Sequence, residues 1–276
     1  MNILSKLYTW SASQAIQDIA LHREKSGHCV VHFLYFANAI KQQLFDTNVI
    51  PTVVEGSPKI DQDLSTSLRS AQDDVGGYRH TLTQADFLLP DGIALQTFYA
   101  AAVILGHVQS TRTWLANCNG TDLTLPLLNI LQKTYPGLVI HLYGGRSVTA
   151  EKARIFLHDN GLMCGAVQDW YTVRDWKNIA PFSGSKQVLL VARWTPLQEL
   201  RIQQNIWAIQ ENNILVLSVG WLFEFRSGEE KRTPKIFRGR AEWLWRLFAN
   251  PRKNAIKVRY SLYLPYAIIR YLLLKR

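Results

Sequence analysis

Short apolar runs rich in β-branched residues alternate along this chain with stretches in which apolar residues recur at helical spacing. Four of the runs are strand candidates: Cys29–Phe36, Leu138–Tyr143, Gln187–Ala192 and Ile214–Val219. Because each run is apolar almost throughout, it predicts a strand that is covered on both faces, as in a parallel sheet.

Two of the stretches between these runs carry helix signals. Val148–Asn160 follows the cap candidate Ser147 and stops at Gly161. Pro196–Asn212 opens on a proline and then places apolar residues near helical spacing. This alternation of strands and helices predicts an α/β fold with a Rossmann-like, mostly parallel sheet and right-handed crossovers.

Charge divides the chain into two unequal parts. Residues 231–276 hold thirteen Lys or Arg and a single acid, whereas residues 1–230 hold 18 Lys or Arg against 20 Asp or Glu, so the net charge of +10 is a C-terminal property. Tyr260–Leu274 is also apolar, with Arg270 as its one charge. We therefore predict an α/β body over residues 1–220 and a helical, basic appendage over residues 221–276 that docks on an anionic membrane surface.

The stretch 54–84 is polar and shows little periodicity, which predicts a loop insertion with room for one short helix. Elsewhere, no apolar run reaches the roughly 20 residues of a spanning helix, and no secretory signal is visible, so we expect a peripheral protein. Three scattered cysteines fit a reducing cytosol. The histidines lack metal-site spacing and Asp61-Gln-Asp63 is a weak candidate, so we expect no metal cofactor.

Asp91 is the first candidate for chemistry, because it ends an apolar run and is followed by Gly92. A carboxylate at the C-terminal end of a strand in an open α/β sheet lies at the ligand crevice, where it can act as a general base. The same Pro-Asp-Gly sequence is also an ordinary turn signal. Gly144 and Gly145 end another strand before a helix, which can present backbone N–H groups to a phosphate or simply form a tight turn.

Arginines cluster in the appendage, where guanidinium groups can bind a diphosphate in bidentate fashion and stabilise a leaving nucleotide without a metal. The alternative is a solvated basic face that contacts lipid headgroups. The cluster and the acid within it are Arg232, Arg238, Arg240, Glu242 and Arg246.

Taken in order, these segments resemble the WecG/TagA/CpsF family, glycosyltransferase family 26, over residues 30–259. The matching pieces are Asn38-Ala39, Leu89-Pro-Asp-Gly-Ile93, Gly120-Thr-Asp-Leu123, Tyr135-Pro-Gly-Leu138, Gly144-Gly145, Ala150-Glu-Lys-Ala153, Pro196-Leu-Gln-Glu199, Val219-Gly220, Phe223-Glu-Phe225, Gly228, Arg232-Thr-Pro234, Glu242-Trp-Leu244, Arg246-Leu247 and Pro251-Arg252. Several pieces in the same order as in the family make a chance match improbable.

The resemblance implies a GT-E-type fold and an inverting, metal-independent transfer of a sugar of the ManNAc, ManNAcA or Glc type. The donor would be a UDP-sugar and the acceptor a polyprenyl-diphosphate-linked saccharide, at the cytoplasmic face of a bacterial inner membrane, in the synthesis of a cell-surface polysaccharide. It makes Asp91 the base and Arg232, Glu242 and Arg246 the diphosphate or acceptor site, to which chemistry adds Arg238 and Arg240. Donor binding falls to Asn38, Gly92, Asp122, Gly144, Gly145, Gln198 and Glu199.

Three bulky residues depart from the family pattern. Phe36 stands where a Thr is usual, Trp194 lies in a piece that is usually small and Gly-rich, and Trp221 replaces a common Gly. They leave open a catalytically diverged member of the family. Two other classes also remain: a basic module that binds nucleic acid, which the apolar C-terminus disfavours, and a sugar-nucleotide epimerase or hydrolase, whose motifs are not apparent.

Overall fold

The structure, a computed structural model, describes residues 3–41, 44–45, 75–170, 186–220, 222–228 and 262–274. Within these ranges six parallel strands form one sheet, in the order β2-β1-β6-β5-β3-β4. The strands are β1 Cys29–Tyr35, β2 Phe87–Asp91, β3 Val139–Gly144, β4 Cys164–Gln168, β5 Gln187–Ala192 and β6 Ile214–Ser218. The predicted α/β class with a Rossmann-like parallel sheet is confirmed.

Helices connect the strands and cover the sheet. They are α1 Ala12–Ser26, α2 Phe36–Lys41, α3 Val75–Gln84, α4 Ile93–Ile104, α5 Gly120–Thr134, α6 Ser147–Asp159, α7 Leu197–Gln204, α8 Ile206–Glu211, α9 Leu222–Arg226 and α10 Leu264–Ile268, with a 3₁₀ turn Ile3–Lys6 and a π-helical turn Ile269–Leu273. None of the helices in the described ranges has the length and apolar character needed to cross a bilayer.

The sheet is sandwiched between two helical layers. Helices α1, α5, α6 and α9 pack on one face, and α2, α3, α4, α7, α8 and α10 pack on the other. Successive β1 residues alternate between the layers: Val31 and Phe33 join the first core, whereas Val30 and Leu34 face the second layer. Burial on both faces is the physical reason for the continuous apolar runs in the sequence.

The predicted helices differ from the observed ones in detail. Arg146, not Ser147, is the N-cap of α6, and the Ser147 hydroxyl donates instead to Asp169 Oδ2 at 2.7 Å. The stretch predicted as one helix from Pro196 is two helices that meet at Asn205, whose side-chain amide donates to the Arg201 carbonyl. Such a side chain competes with the helical backbone and explains the break.

Part of the polar stretch 54–84 is the helix α3, which buries Tyr78 and Leu82 in the second layer. Asp61-Gln-Asp63 and most of the appendage predicted over residues 221–276 lie outside the described residues. Two pieces of the expected appendage are described: α9 packs in the core beside α6, and α10 packs against α4. The division at residue 221 stays a prediction.

Candidate active site

The topology of the sheet opens a crevice at the C-terminal ends of β1 and β6. These strands are neighbours, yet α2, which follows β1, packs in one layer, and α9, which follows β6, packs in the other. Chains that leave adjacent strands toward opposite faces open the crevice in which α/β proteins bind ligands. Asn38, half-buried in α2, lies on one side of this crevice, and Gly220 lies on the other.

Asp91 ends β2, one strand away from the crevice, and pairs in register with Tyr35 of β1. Its Oδ1 accepts a hydrogen bond of 3.0 Å from the side-chain amide of Asn119. The Asn119 Oδ1 accepts in turn from the Thr121 N–H at 2.9 Å and so caps α5. Because the Asn119 amide oxygen accepts the bond that caps α5, the NH₂ group of the same side chain is directed toward the Asp91 carboxylate.

Two further bonds fix the turn after β2. Asn117 Oδ1 accepts from the Gly92 N–H at 3.0 Å, and the Cys118 N–H donates to the Pro90 carbonyl at 2.8 Å. Gly92 has φ +89°, and a Cβ there would lie 2.9 Å from the Tyr35 ring, so glycine is required. Burial and the nearby Asp91 charge raise the pKa of the Cys118 thiol to about 12, which keeps it neutral.

Sequence reasoning missed Asn117 and Asn119, the residues that hold this turn. An asparagine directly before Gly120-Thr-Asp-Leu123 is a helix N-cap signal, and it could have pointed to Asn119. The predicted donor residue Asp122 lies in the first turn of α5 and is exposed. A carboxylate there is favoured by the helix dipole, and its contact with a donor stays a prediction.

Gln198 and Glu199 lie in the first turn of α7, beside the crevice. Gln198 Oε1 accepts from the backbone N–H groups of Arg193 at 3.2 Å and Gly220 at 3.1 Å, so it joins the loops after β5 and β6. Its amide donates to Glu199 Oε1 at 2.8 Å, which also accepts from the Thr195 hydroxyl at 3.0 Å. These bonds give both residues a positioning role in the loops, and donor contact by either stays a prediction.

Glu199 is completely buried, and burial raises its pKa to about 7. Its Oε2 has no hydrogen-bond partner among the described residues. A buried carboxyl group with one unsatisfied oxygen costs less free energy when it is protonated, so the site favours the protonated form of Glu199 more than water does.

The Gly144-Gly145 turn lies far from Asp91 along the edge of the sheet. Three strands separate β3 from β2, and four spacings of about 4.8 Å put their ends about 19 Å apart. Gly144 is needed for packing, because a Cβ there would lie 2.1 Å from the Ala192 carbonyl oxygen. The carboxylate of Asp169 already lies at the N-terminus of α6, through its bond with Ser147. Diphosphate binding at this turn therefore stays a prediction.

A cation that sequence reasoning did not single out lies nearer the crevice. The Arg193 guanidinium stacks 3.5 Å above the Trp194 ring and lies 5.6 Å from the ring of Trp170. It directly follows β5, the neighbour of β6. The aromatic rings hold the charge at this edge of the sheet.

The bulky departures from the family pattern can be placed in part. Phe36 is 1% exposed and packs on Phe98 at 5.6 Å between ring centroids, in the second helical layer. Trp194 supports Arg193. Trp221 lies outside the described residues, as do the predicted diphosphate or acceptor residues Arg232, Arg238, Arg240, Glu242 and Arg246.

Comparison with known proteins agrees with this architecture. The model of the glycosyl transferase WecG/TagA/CpsF family matches residues 66–276. One similar protein is the N-acetylglucosaminyldiphosphoundecaprenol N-acetyl-beta-D-mannosaminyltransferase of Bacillus spizizenii, which is 26% identical over 223 residues, or 79% of each chain. The family match spans most of the chain, including the strand that ends in Asp91 and the crevice side formed by β6, and the chain belongs to the WecG/TagA/CpsF family of glycosyl transferases.

Proposed function

We propose that this transferase moves a hexose of the ManNAc, ManNAcA or Glc type from a UDP-sugar to a polyprenyl-diphosphate-linked saccharide, with inversion and without a metal. The carrying observation is the position of Asp91: it lies at the C-terminal end of β2, one strand from the crevice between β1 and β6, and its carboxylate is oriented by Asn119. The name of the Bacillus spizizenii relative supports an acceptor with a polyprenyl diphosphate.

In this proposal Asp91 acts as the general base. Its carboxylate takes the proton of the acceptor hydroxyl while the hydroxyl oxygen forms a bond to the anomeric carbon of the donor sugar. The bond between that carbon and the diphosphate oxygen breaks on the opposite side, and its electron pair leaves with UDP. The proton then passes from Asp91 to solvent.

Cations must stabilise the charge that develops on UDP. Arg193 supports this part of the proposal, because it is held by two tryptophans beside the crevice. The appendage residues Arg232, Arg238, Arg240 and Arg246 are proposed to add donors from the C-terminal side, with Glu242 among them. Asn38 is proposed to contact the donor sugar from the β1 side.

A lipid-linked acceptor requires the protein to reach a membrane surface. The C-terminal segment supports this, because Ala267, Tyr271 and Leu272 pack into the body while Leu262 and Ile269 point to solvent. An apolar outer face next to a basic sequence suits binding in the interface of an anionic bilayer. We propose the cytoplasmic face of the bacterial inner membrane as its location.

The test is transfer itself, measured as UDP release from a panel of UDP-sugars in the presence of GlcNAc-diphosphate carrying a short prenyl chain. We expect Asp91→Asn to lower kcat about 10²- to 10⁴-fold, since it removes a general base, and to leave the Kd for UDP-sugar within about twofold. The matched control is Asp159→Asn, an exposed carboxylate at the end of α6.

Two results would remove this assignment. Turnover of Asp91→Asn within a few-fold of the wild type would exclude Asp91 as the base. Acceptor-dependent UDP release absent across the whole panel would favour a catalytically diverged member of the family. The alternative of a basic module that binds nucleic acid has its own test. A salt wash would release such a module from the membrane pellet, because binding to phosphates weakens steeply with salt.

A further inference from the structure

An exposed aromatic and cationic surface lies on the outer side of Asp91. The N-terminal segment runs parallel to the edge strand β2: Leu7 forms a bridge with Leu88, and the Tyr8 N–H donates to the Leu88 carbonyl at 2.9 Å. Trp10 is three residues beyond Leu7, just as Asp91 is three residues beyond Leu88. Ser11, the next residue, caps α1, which runs back to the start of β1, so Trp10 lies toward the C-terminal edge of the sheet, as Asp91 does.

Trp10 is a large apolar side chain in an unusual setting. Its ring is 52% exposed and carries the exposed guanidinium of Arg112 at 4.2 Å from the ring centroid. Trp114, two residues further along the same loop, is 51% exposed. Exposed indoles paired with arginine are typical of binding surfaces, where they supply stacking area and donors together.

Contacts of Tyr8 hold the segment beneath this surface in place. The hydroxyl of Tyr8 donates to Asp18, and the Tyr8 ring packs on Phe87 of β2 at 6.0 Å. Burial and the bond to Asp18 raise the pKa of Tyr8 further above its ordinary value, so the hydroxyl keeps its proton. The residues just before Trp10 therefore pack against the strand that ends in Asp91, and Ser11 just after it caps α1.

One loop connects this surface to the base and to the C-terminal segment. The loop after α4 begins near His107, whose Nε2 lies 2.6 Å from the Leu272 carbonyl oxygen. It then carries Arg112 and Trp114, and it ends at Asn119, which holds Asp91. The loop that carries Arg112 and Trp114 is therefore attached to the C-terminal segment near one end and to the carboxylate of Asp91 at the other.

We propose that Trp10, Arg112 and Trp114 bind the acceptor, with the indoles stacked on its sugar ring and the guanidinium paired with its diphosphate. This rests on the proposed function. Inversion requires the acceptor oxygen to attack from the side opposite the departing UDP. The donor crevice lies on the β1 and β6 side of Asp91, and the opposite side of this edge strand is where the three residues are placed.

The three residues differ in their relation to the family model. Arg112 and Trp114 lie within the residues that it matches, 66–276, whereas Trp10 precedes them.

The experiment measures acceptor and donor binding separately, by calorimetry, with GlcNAc-diphosphate on a farnesyl chain and with UDP. We expect Trp10→Ala, Trp114→Ala and Arg112→Ala each to raise the Kd of the farnesyl probe about tenfold and to leave the Kd of UDP within about twofold. Arg112→Lys should recover only part of the loss, because an ammonium group lacks the planar fork. The control is Trp207→Ala, an indole 40% exposed on α8, which should change neither value.

The outcomes separate the two proposals. If all three alanine variants bind the farnesyl probe as tightly as the wild type does, the acceptor surface is overturned and the proposed function still stands. Wild-type protein that binds neither UDP nor the probe would overturn both. A loss seen only with anionic vesicles, and not with the soluble probe, would identify the surface as a membrane contact and also overturn the proposal.

Discussion

At the scale of single residues, the orientation of Asp91 depends on one amide with two tasks. Asn119 caps α5 through its oxygen and holds Asp91 through its NH₂ group. The helix cap thereby sets the direction of the donor, since the amide cannot turn over without losing the cap bond. The geometry proposed for catalysis is thus coupled to the start of α5, which would give a general base a rigid support.

Asn119→Asp and Asn119→Ala separate these two tasks. Aspartate keeps the cap oxygen but brings a second carboxylate to Asp91, which favours a shared proton and withdraws the base at neutral pH. We expect the acid limb of the kcat/KM profile to move to higher pH in Asn119→Asp. Asn119→Ala should lose about 0.5–2 kcal/mol of stability because it removes the helix cap, and it should shift the acid limb of the profile less than Asn119→Asp does. Superimposable pH profiles for wild type and Asn119→Asp would show that this amide does not control Asp91.

Glu199 makes a separate prediction, about stability and pH. Burial raises its pKa from 4.5 to about 7, so between these two pH values the folded protein binds a proton that the unfolded chain has released. Stability must then fall as the pH rises through this window. We expect urea unfolding to show wild type losing about 1–3 kcal/mol relative to Glu199→Gln between pH 4.5 and 8. The exposed Glu211→Gln control should follow the wild type, and a Glu199→Gln curve parallel to wild type would contradict the prediction.

At the scale of elements, the strands that are buried on both faces were predictable from the sequence and the edge strand β4 was not. Cys164–Gln168 lacks an apolar run, pairs with β3 alone among the described strands and remains partly exposed along its length. The place of Asp91 at a strand end was predictable, because an apolar run precedes it in the sequence. Its role as the base stays a prediction. Asn117 was not, because its bond to Gly92 joins residues 25 apart that meet only after the sheet forms.

Gly144 tests how tightly the ends of β3 and β5 approach. In Gly144→Ala the new methyl group would lie 2.1 Å from the Ala192 carbonyl oxygen, at φ +126°. We expect a loss of roughly 2–5 kcal/mol in the free energy of unfolding, from strain and overpacking together. Gly161→Ala is the matched control, since its φ is +75° but no atom lies within 4 Å of the added Cβ. It should cost about 1 kcal/mol, and equal losses at both sites would refute the close approach.

At the scale of the whole molecule, the C-terminal segment is apolar on two sides. Ala267, Tyr271 and Leu272 secure it to the second helical layer, and the His107 ring contacts its backbone. The outward side chains Leu262, Tyr266, Ile269 and Leu273 recur at helical spacing and form one exposed face. This face follows residues 231–259, which hold ten Lys or Arg and a single acid. Apolar insertion and attraction to anionic lipid would therefore act on the same part of the molecule.

Negative charges introduced on the outward face alone should separate membrane binding from folding. Ile269→Glu with Leu273→Glu removes two apolar side chains and adds two negative charges that anionic lipid repels, yet it leaves the inward contacts of Tyr271 and Leu272 in place. Burying each of these side chains contributes about 1.5–3 kcal/mol, so we expect partitioning into phosphatidylglycerol vesicles to fall at least about tenfold. Ile155→Glu adds a charge at an exposed isoleucine on α6, in the opposite helical layer, and should pellet with the vesicles as the wild type does. If the double variant and Ile155→Glu pellet equally, the membrane contact lies elsewhere. Transfer to the soluble farnesyl acceptor should survive in both variants, because the change spares Asp91 and the crevice.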